Sequence, residues 1–246
     1  MHIPDGVIDP TTLVVAGAAS AGALTWSARE LRRGSPRLGV ALAGAAGVVL
    51  AHLADVSLPG PYTAHLIGGT LLAIAVGPWL ALTTMASVLA LEALLWHDGG
   101  TSALGVNVLV MGVAGVLVGY GAYRAVLALA GFLRRRPGRD SPWVRAGAAA
   151  VAAWVSVLAS ALTLAAVVAL GGPPTVGDVM EAPGATVGEL LPYYAAWGLL
   201  EAALTGGIVA IVLAWKRSMA RLENATDVRG RMPVDNPATQ APVPVM

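Results

Sequence analysis

A series of long apolar runs between Thr11 and Trp215 constrains this chain more than any other feature. A transmembrane helix needs about 20 predominantly apolar residues, and most of these runs approach or exceed that length. Only 12% of the residues are charged and the mean hydropathy is +0.72, whereas a soluble domain carries about 25% charged residues. The sequence therefore predicts an all-α membrane protein embedded in the lipid bilayer.

The apolar runs divide into about seven predicted transmembrane helices. The run over residues 64–95 is too long for one of them, because as a single helix it would reach roughly 48 Å across a hydrocarbon core of ~30 Å. Gly77-Pro78 interrupts this run near its middle, and proline breaks a helix by removing a backbone donor and crowding the preceding turn. We therefore predict a hairpin of two short helices there. The predicted helices are 11–28, 38–53, the two within 64–95, 103–133, 144–170 and 192–215.

Basic and acidic loops alternate along the chain. Arg and Lys cluster after the first, fifth and seventh predicted helices, whereas the loops after the second, fourth and sixth carry acidic residues with no Lys or Arg. Cytoplasmic loops are enriched in Lys and Arg, so the N-terminus is predicted outside and the C-terminus inside. The predicted membrane domain covers residues 1–217. Residues 218–246 are polar and Pro-rich, and are predicted to form a disordered cytoplasmic tail.

Several classes of function are disfavoured by what the sequence lacks. It has no Cys and a net charge of +1, which leave no disulfide framework and argue against a nucleic-acid partner. It also lacks the H-E-x-x-H and G-x-S-x-G motifs of common hydrolases. Without a phosphate-binding loop motif, the chain is not expected to hydrolyse ATP itself.

The first two residues, Met1-His2, form a candidate metal chelate. The α-amine, the His2 amide nitrogen and the His2 imidazole can close two fused rings on one ion, and a second imidazole would complete a square. Nitrogen donors in this arrangement suit Ni(II) or Cu(II), and Co(II) can also bind. Pro4 and Gly6 bracket Asp5 as a turn, so residues 1–6, which we call the N-terminal loop, are predicted to be compact.

All four histidines of the chain are predicted on the outer side of the membrane. His65 is the candidate for the second imidazole, and its alternative role is that of an interface histidine. Glu201 lies near the middle of the last predicted helix, where a carboxylate normally faces the bundle interior and serves either structure or the substrate path. The candidates for support of the ion or its path are Asp5, His52, Glu92, His97, Asn107 and Glu201.

Several motifs together resemble one transporter family. They are MHIPDG at residues 1–6, HLIGG at 65–69, GPW at 77–79, DGG at 98–100 and LGVN at 104–107. Over residues 1–217 the chain is similar to the CbiM/NikM proteins. These are the substrate-capture (S) components of energy-coupling-factor transporters for cobalt and nickel. Residues 52–55 (HLAD) are not typical of that family.

The resemblance implies a seven-helix fold whose N-terminal loop enters the bundle. It implies metal ligation by the Met1 amine, the His2 amide nitrogen, the His2 imidazole and the His65 imidazole. It also implies a multi-pass location in the bacterial cell membrane, a membrane scaffold (T) subunit, cytoplasmic ATPase subunits and sometimes a small accessory subunit. Nickel or cobalt is then the transported substrate rather than a cofactor, and MHIPDG does not decide between them.

Two other classes of function stay open on the residues alone. An intramembrane metalloenzyme would use the same nitrogen ligands, although the sequence offers no motif for its general base. A stand-alone metal channel or carrier would need no ATPase partner.

Overall fold

The computed structural model describes residues 1–58, 63–133, 141–171 and 187–230. These residues are mostly helical, with one short antiparallel pair of strands. The elements in chain order are α1 (Pro10–Leu31), α2 (Leu38–His52), β1 (Val56–Ser57), β2 (Thr63–Ala64), α3 (Gly69–Val76), α4 (Pro78–Leu95), α5 (Leu104–Asn107), a π-helical segment (Val108–Val118), α6 (Gly119–Leu133), α7 (Pro142–Gly171) and α8 (Val187–Gly230).

Four helical stretches of the described chain are long and apolar enough to cross a membrane. They are Pro78–Leu95, Leu104–Leu133, Pro142–Gly171 and Leu190–Arg221, and α2 is a shorter apolar helix. The described residues are thus mostly helical, as expected for the predicted class of membrane protein, and they show four long apolar helices and one shorter one in place of a confirmed count of seven.

The predicted break at Gly77-Pro78 is confirmed, but the helix before the break differs from the prediction. Gly77 has φ +90° and ends α3, and Pro78 is the first residue of α4. The α3 helix has eight residues, about 12 Å of rise, which is less than half of the hydrocarbon core. Residues 65–68 before it are irregular, although the sequence placed them in a helix that begins at residue 64. In place of two short helices, the structure therefore has one helix of eight residues, α3, and one of 18 residues, α4.

Small residues bring α1 and α5 into close contact. A Cβ added at Gly105 would lie 2.5 Å from the Cα of Gly17, and the Ser20 hydroxyl donates a hydrogen bond to the Gly105 carbonyl at 2.6 Å. Small side chains allow such backbone approach between membrane helices. The contact fixes the position of α5, whose last residue is Asn107.

The helix α8 is longer than the predicted last span. It continues to Gly230 and so includes residues 218–230 of the predicted tail, whereas residues 231–246 lie outside the described part of the chain. By contacts, the chain separates into one unit over Met1–Ala210 and another that begins at Ile211. In the second unit the α8 side chains from Ile211 to Arg221 are exposed apart from the half-buried Leu213.

Candidate metal centre

The N-terminal loop is part of the protein core. Met1, His2 and Ile3 are exposed by only 1%, 6% and 1% of their surface. Ile3 is held on both of its polar backbone groups by Asn107: its N–H donates to Asn107 Oδ1 at 2.8 Å, and its carbonyl accepts from Asn107 Nδ2 at 3.2 Å. The same carbonyl also accepts from the Gly100 N–H at 2.9 Å. These bonds give the loop a defined path into the bundle.

Asp5 forms the predicted turn and ties it to the loop before α5. Its carboxylate accepts hydrogen bonds from the backbone N–H groups of Thr101 and Ser102, at 3.1 and 2.8 Å, and from both of their hydroxyls. These bonds lower the pKa of the Asp5 carboxyl, chiefly through the Ser102 hydroxyl. Gly6 follows at φ +83°, a conformation that glycine adopts without a steric penalty. Asp5 therefore anchors the N-terminal loop to residues 101 and 102.

Burial changes the chemistry of the Met1 α-amine. The amine donates a hydrogen bond to Thr63 Oγ1 at 3.2 Å. Burial lowers its pKa from 8.0 to about 5, and the carboxylates of Asp55, Asp98 and Glu92 partly oppose that change. At neutral pH the amine is therefore uncharged, with a lone pair available for a metal ion.

Glu201 supports the segment that carries His65. Its carboxylate accepts the N–H groups of Ile67 and Gly68 at 2.8 and 2.9 Å, at the N-terminal end of α3. A helix N-terminus has unpaired backbone donors and favours a negative charge. Of the two roles that the sequence left open for Glu201, the structural one is the role these contacts describe.

Three buried imidazoles meet where these segments converge. His2, His52 and His65 each offer a ligand atom, and these atoms lie within 4.8 Å of one another. The ring centroids are 4.2 Å apart for His52 and His65, 4.7 Å for His2 and His65, and 5.4 Å for His2 and His52. We call these three residues the histidine cluster. It joins the N-terminal loop, the end of α2 and the segment before α3.

The hydrogen bonds of the histidine cluster leave the same nitrogen free on every ring. His2 Nδ1 lies 2.7 Å from Asp98 Oδ1, His52 Nδ1 lies 2.9 and 3.0 Å from the two Glu92 oxygens, and His65 Nδ1 lies 3.1 Å from the Leu66 carbonyl. Oxygens of this kind accept, so each Nδ1 carries the proton and each Nε2 keeps its lone pair. All three Nε2 atoms are buried without a hydrogen-bond partner.

Acceptors on Nδ1 are the usual outer partners of metal-binding histidines, because they fix the tautomer and the orientation of the ring. The pKa of His2 is lowered, mainly by its burial, and the pKa of Asp98 is lowered by its hydrogen bond to His2. An uncharged imidazole beside an ionised carboxylate can bind a cation without first losing a proton. The site therefore has the donors and the charge that a divalent transition metal requires.

The predicted site residues separate into three groups. The His2 and His65 rings lie side by side and Met1 is buried in the N-terminal loop, and the role of Met1, His2 and His65 as ligands stays a prediction. Asp5, Asn107 and Glu201 position backbone, and Glu92 pairs with His52. His97 is exposed, at φ +56°, and lies outside the histidine cluster.

Three contributions to the site go beyond the sequence analysis. His52 was expected around the ion or along its path, and the structure brings it to ligand distance of the other imidazoles. Asp98 and Thr63 were given no role of their own. For Asp98 the available signal was its position at the start of the DGG run, which the resemblance had already included.

A buried set of nitrogen donors among long apolar helices fits a multi-pass membrane protein that handles metal ions. The chain belongs to the CbiM family, described as the cobalt uptake substrate-specific transmembrane region, which matches residues 2–219.

Individual relatives agree with this assignment. A protein of Haloquadratum walsbyi, provisionally named a metal transport protein, is 34% identical over 219 residues, which are 87% of this chain and 90% of that protein. A protein of Archaeoglobus fulgidus, provisionally named a fused nickel transport protein, is 31% identical over 217 residues, which are 87% of this chain and 66% of the longer relative. The crystal structure of a transition metal transporter superposes with a TM-score of 0.73 at 28% identity, covering 94% of this chain and 100% of that one.

Proposed function

We propose that this chain captures a nickel or cobalt ion as the substrate-binding membrane subunit of an ATP-driven uptake transporter of the energy-coupling-factor type. The observation that carries the proposal is the buried N-terminal loop, whose α-amine and His2 side chain lie beside His65 and His52 with three unpartnered imidazole nitrogens. The names of the relatives, which include cobalt and nickel transport, support the same class of ion.

The proposed ligands are the Met1 amine, the His2 amide nitrogen, the His2 imidazole and the His65 imidazole, arranged as a square. Of the two His2 ring nitrogens, Nδ1 closes the six-membered ring with the amide. In the metal-free geometry this Nδ1 faces Asp98 at 2.7 Å, so metal binding requires the ring to turn about its Cβ–Cγ bond. The ion then replaces the hydrogen bond to Asp98. A nitrogen square selects Ni(II) or Co(II) over Mg(II) and Ca(II), which prefer oxygen.

The proposed assembly follows from what this chain lacks and from its charge pattern. Because its sequence contains no phosphate-binding loop motif, ATP hydrolysis is assigned to cytoplasmic partner subunits, joined through a membrane scaffold subunit and in some assemblies by a small accessory subunit. The alternation of basic and acidic loops supports about seven membrane crossings, with the N-terminus outside a bacterial cell membrane. Capture from the outside then places the histidine cluster on the side where the ion arrives.

The test is an extension of the chain before Met1. The Met1 residue is 1% exposed and its amine hydrogen-bonds to Thr63, so a few added residues remove the amine ligand and displace the N-terminal loop. We expect the extended protein to lose at least 100-fold in affinity for Ni(II) and Co(II), measured by titration of the purified chain. The matched control carries the same residues after Met246 and keeps its affinity. Unchanged metal binding by the N-terminally extended protein would show that the amine chelate is wrong.

A further inference from the structure

His52 has the same local chemistry as the two histidines already assigned to the metal. It is 2% exposed, its Nδ1 is paired with a carboxylate, and its Nε2 is buried without a partner. Leaving a buried polar atom unpaired costs about 1–3 kcal/mol. A position that keeps such an atom beside the imidazoles of His2 and His65 indicates that His52 shares their ligand.

The distances allow one ion to contact all three imidazoles. A metal–imidazole bond is about 2.0–2.1 Å long, so two nitrogens on one ion can be up to about 4.2 Å apart. The ligand atoms of the histidine cluster lie within 4.8 Å of one another. A contraction of less than about 1 Å is enough to close the cluster around an ion, and side-chain rotation supplies that movement.

Glu92 prepares His52 for this role. Both oxygens of its carboxylate contact His52 Nδ1, and Oε2 also lies 3.6 Å from His2 Nε2. The carboxylate is 3% exposed, so its negative charge acts on the centre with little screening by water. It orients the His52 ring and offsets part of the charge of a divalent ion, as outer carboxylates do for metal-bound histidines.

We propose that His52 is a further metal ligand, whose Nε2 binds the ion from outside the square formed by the other four nitrogens. This inference rests on the proposed function, because the ion and the site are the same. Its consequence is selectivity: a square of nitrogens suits Ni(II) and Cu(II), whereas an apical imidazole produces a five-coordinate ion, which Co(II) accepts more readily than low-spin Ni(II) does. His52 therefore raises the affinity of the site for cobalt relative to nickel.

The experiment compares His52→Asn with His97→Asn, in the purified full chain titrated with Co(II) and with Ni(II). Asparagine at position 52 keeps a donor near the Nδ1 position, facing Glu92, and removes Nε2. Position 97 is exposed, lies outside the cluster and has φ +56°, which asparagine tolerates well. We expect His52→Asn to weaken Co(II) binding at least about tenfold, by analogy with losses around metal-bound histidines, and Ni(II) binding by less than threefold. We expect His97→Asn to change neither.

The bound Ni(II) gives a second readout, which a purely structural role of His52 would not move. Five-coordinate Ni(II) with nitrogen ligands is paramagnetic, whereas square-planar Ni(II) is diamagnetic. We expect paramagnetic Ni(II) in the wild-type chain and diamagnetic Ni(II) in His52→Asn. If His52→Asn does not fold, X-ray absorption of the wild-type Co(II) complex counts the imidazoles directly: three support the proposal and two overturn it.

The outcomes separate this inference from the function on which it rests. An unchanged ratio of Co(II) to Ni(II) affinity in a folded His52→Asn protein, with an unchanged magnetic state, would overturn the role of His52 and leave metal capture intact. Metal binding that survives extension before Met1, with three imidazoles still on the ion, would overturn the amine chelate and retain His52 as a ligand. A wild-type chain that binds neither metal would overturn both.

Discussion

Two stretches of irregular backbone meet at the histidine cluster, and one buried side chain satisfies polar backbone groups in each. In the N-terminal loop, Asn107 both donates to and accepts from the backbone of Ile3. In residues 65–68, Glu201 accepts two backbone N–H groups. Both supports are buried, at 2% exposure. The two stretches present different combinations of backbone hydrogen-bond donors and acceptors, and each supporting side chain complements the combination that it meets.

The backbone groups of the two segments determine why an amide supports one and a carboxylate the other. Ile3 presents one donor and one acceptor, and an amide side chain offers one of each. Residues 67 and 68 present two donors, and a carboxylate offers two acceptors and no donor. Non-helical backbone at membrane depth is tolerated only where protein or water satisfies its polar groups. The chemistry of each support is therefore set by the local backbone and not by the metal.

The largest expected effect is at Glu201. Glu201→Ala leaves two buried N–H groups unpaired, and at about 1–3 kcal/mol each we expect a loss of roughly 2–6 kcal/mol in the free energy of unfolding, measured by denaturant titration in detergent. His65 then loses its fixed position, so affinity for Co(II) and Ni(II) falls as well. Glu201→Gln keeps one acceptor and turns an amide NH₂ toward the other N–H, so we expect an intermediate loss.

Equal losses for Glu201→Ala and Glu201→Gln would contradict this account, because the one acceptor that glutamine keeps would then contribute nothing. A stability loss without any change in metal affinity would show that Glu201 does not position His65.

The second prediction concerns the protons released when a metal ion binds. The groups that can release them, the Met1 amine and the His2 amide, belong to the N-terminal loop. The amine pKa is lowered to about 5, so at pH 7 the amine is already neutral and only the His2 amide must lose a proton on binding. We expect about one proton released per metal ion at pH 7, measured calorimetrically in buffers of different ionisation enthalpy. Metal affinity should fall about tenfold per pH unit between pH 7 and pH 5, and more steeply below pH 5.

The sign of the accompanying change in stability follows from the same pKa. Between pH 5 and pH 8 the unfolded chain binds more protons at its amine than the folded chain does, so docking of the metal-free N-terminal loop weakens as the pH falls from 8 to 5. Release of about two protons per ion at pH 7 would show that the amine is not neutral in the folded protein. Acetylation of the amine is the control, since it removes both the ligand and the titration.

Features encoded by neighbouring residues are predictable from this sequence, whereas features set by distant contacts are not. The break at Gly77-Pro78 and the turn at residues 4–6 are encoded locally, by proline, glycine and aspartate, and both are present as predicted. The irregular conformation of residues 65–68 depends on Glu201, which is more than 130 positions away, so an apolar run there was misread as helix. The convergence of His52 with His2 and His65 also depends on contacts between residues that are far apart in the sequence. Its side chain direction is set by the packing of α2, for which no local pattern exists.

The smallest effect is expected at Asn107, where the backbone has a second partner. Asn107→Asp keeps an acceptor for the Ile3 N–H and loses the donor to the Ile3 carbonyl, which still accepts from Gly100. We expect a loss of about 1–2 kcal/mol in the free energy of unfolding, below that of Glu201→Ala, and a modest loss of metal affinity because the N-terminal loop is less firmly held. Asn107→Leu, which is similar in volume and removes both bonds, should cost more. If Asn107→Asp were as damaging as Glu201→Ala, the Gly100 N–H would not compensate for the lost donor at the Ile3 carbonyl.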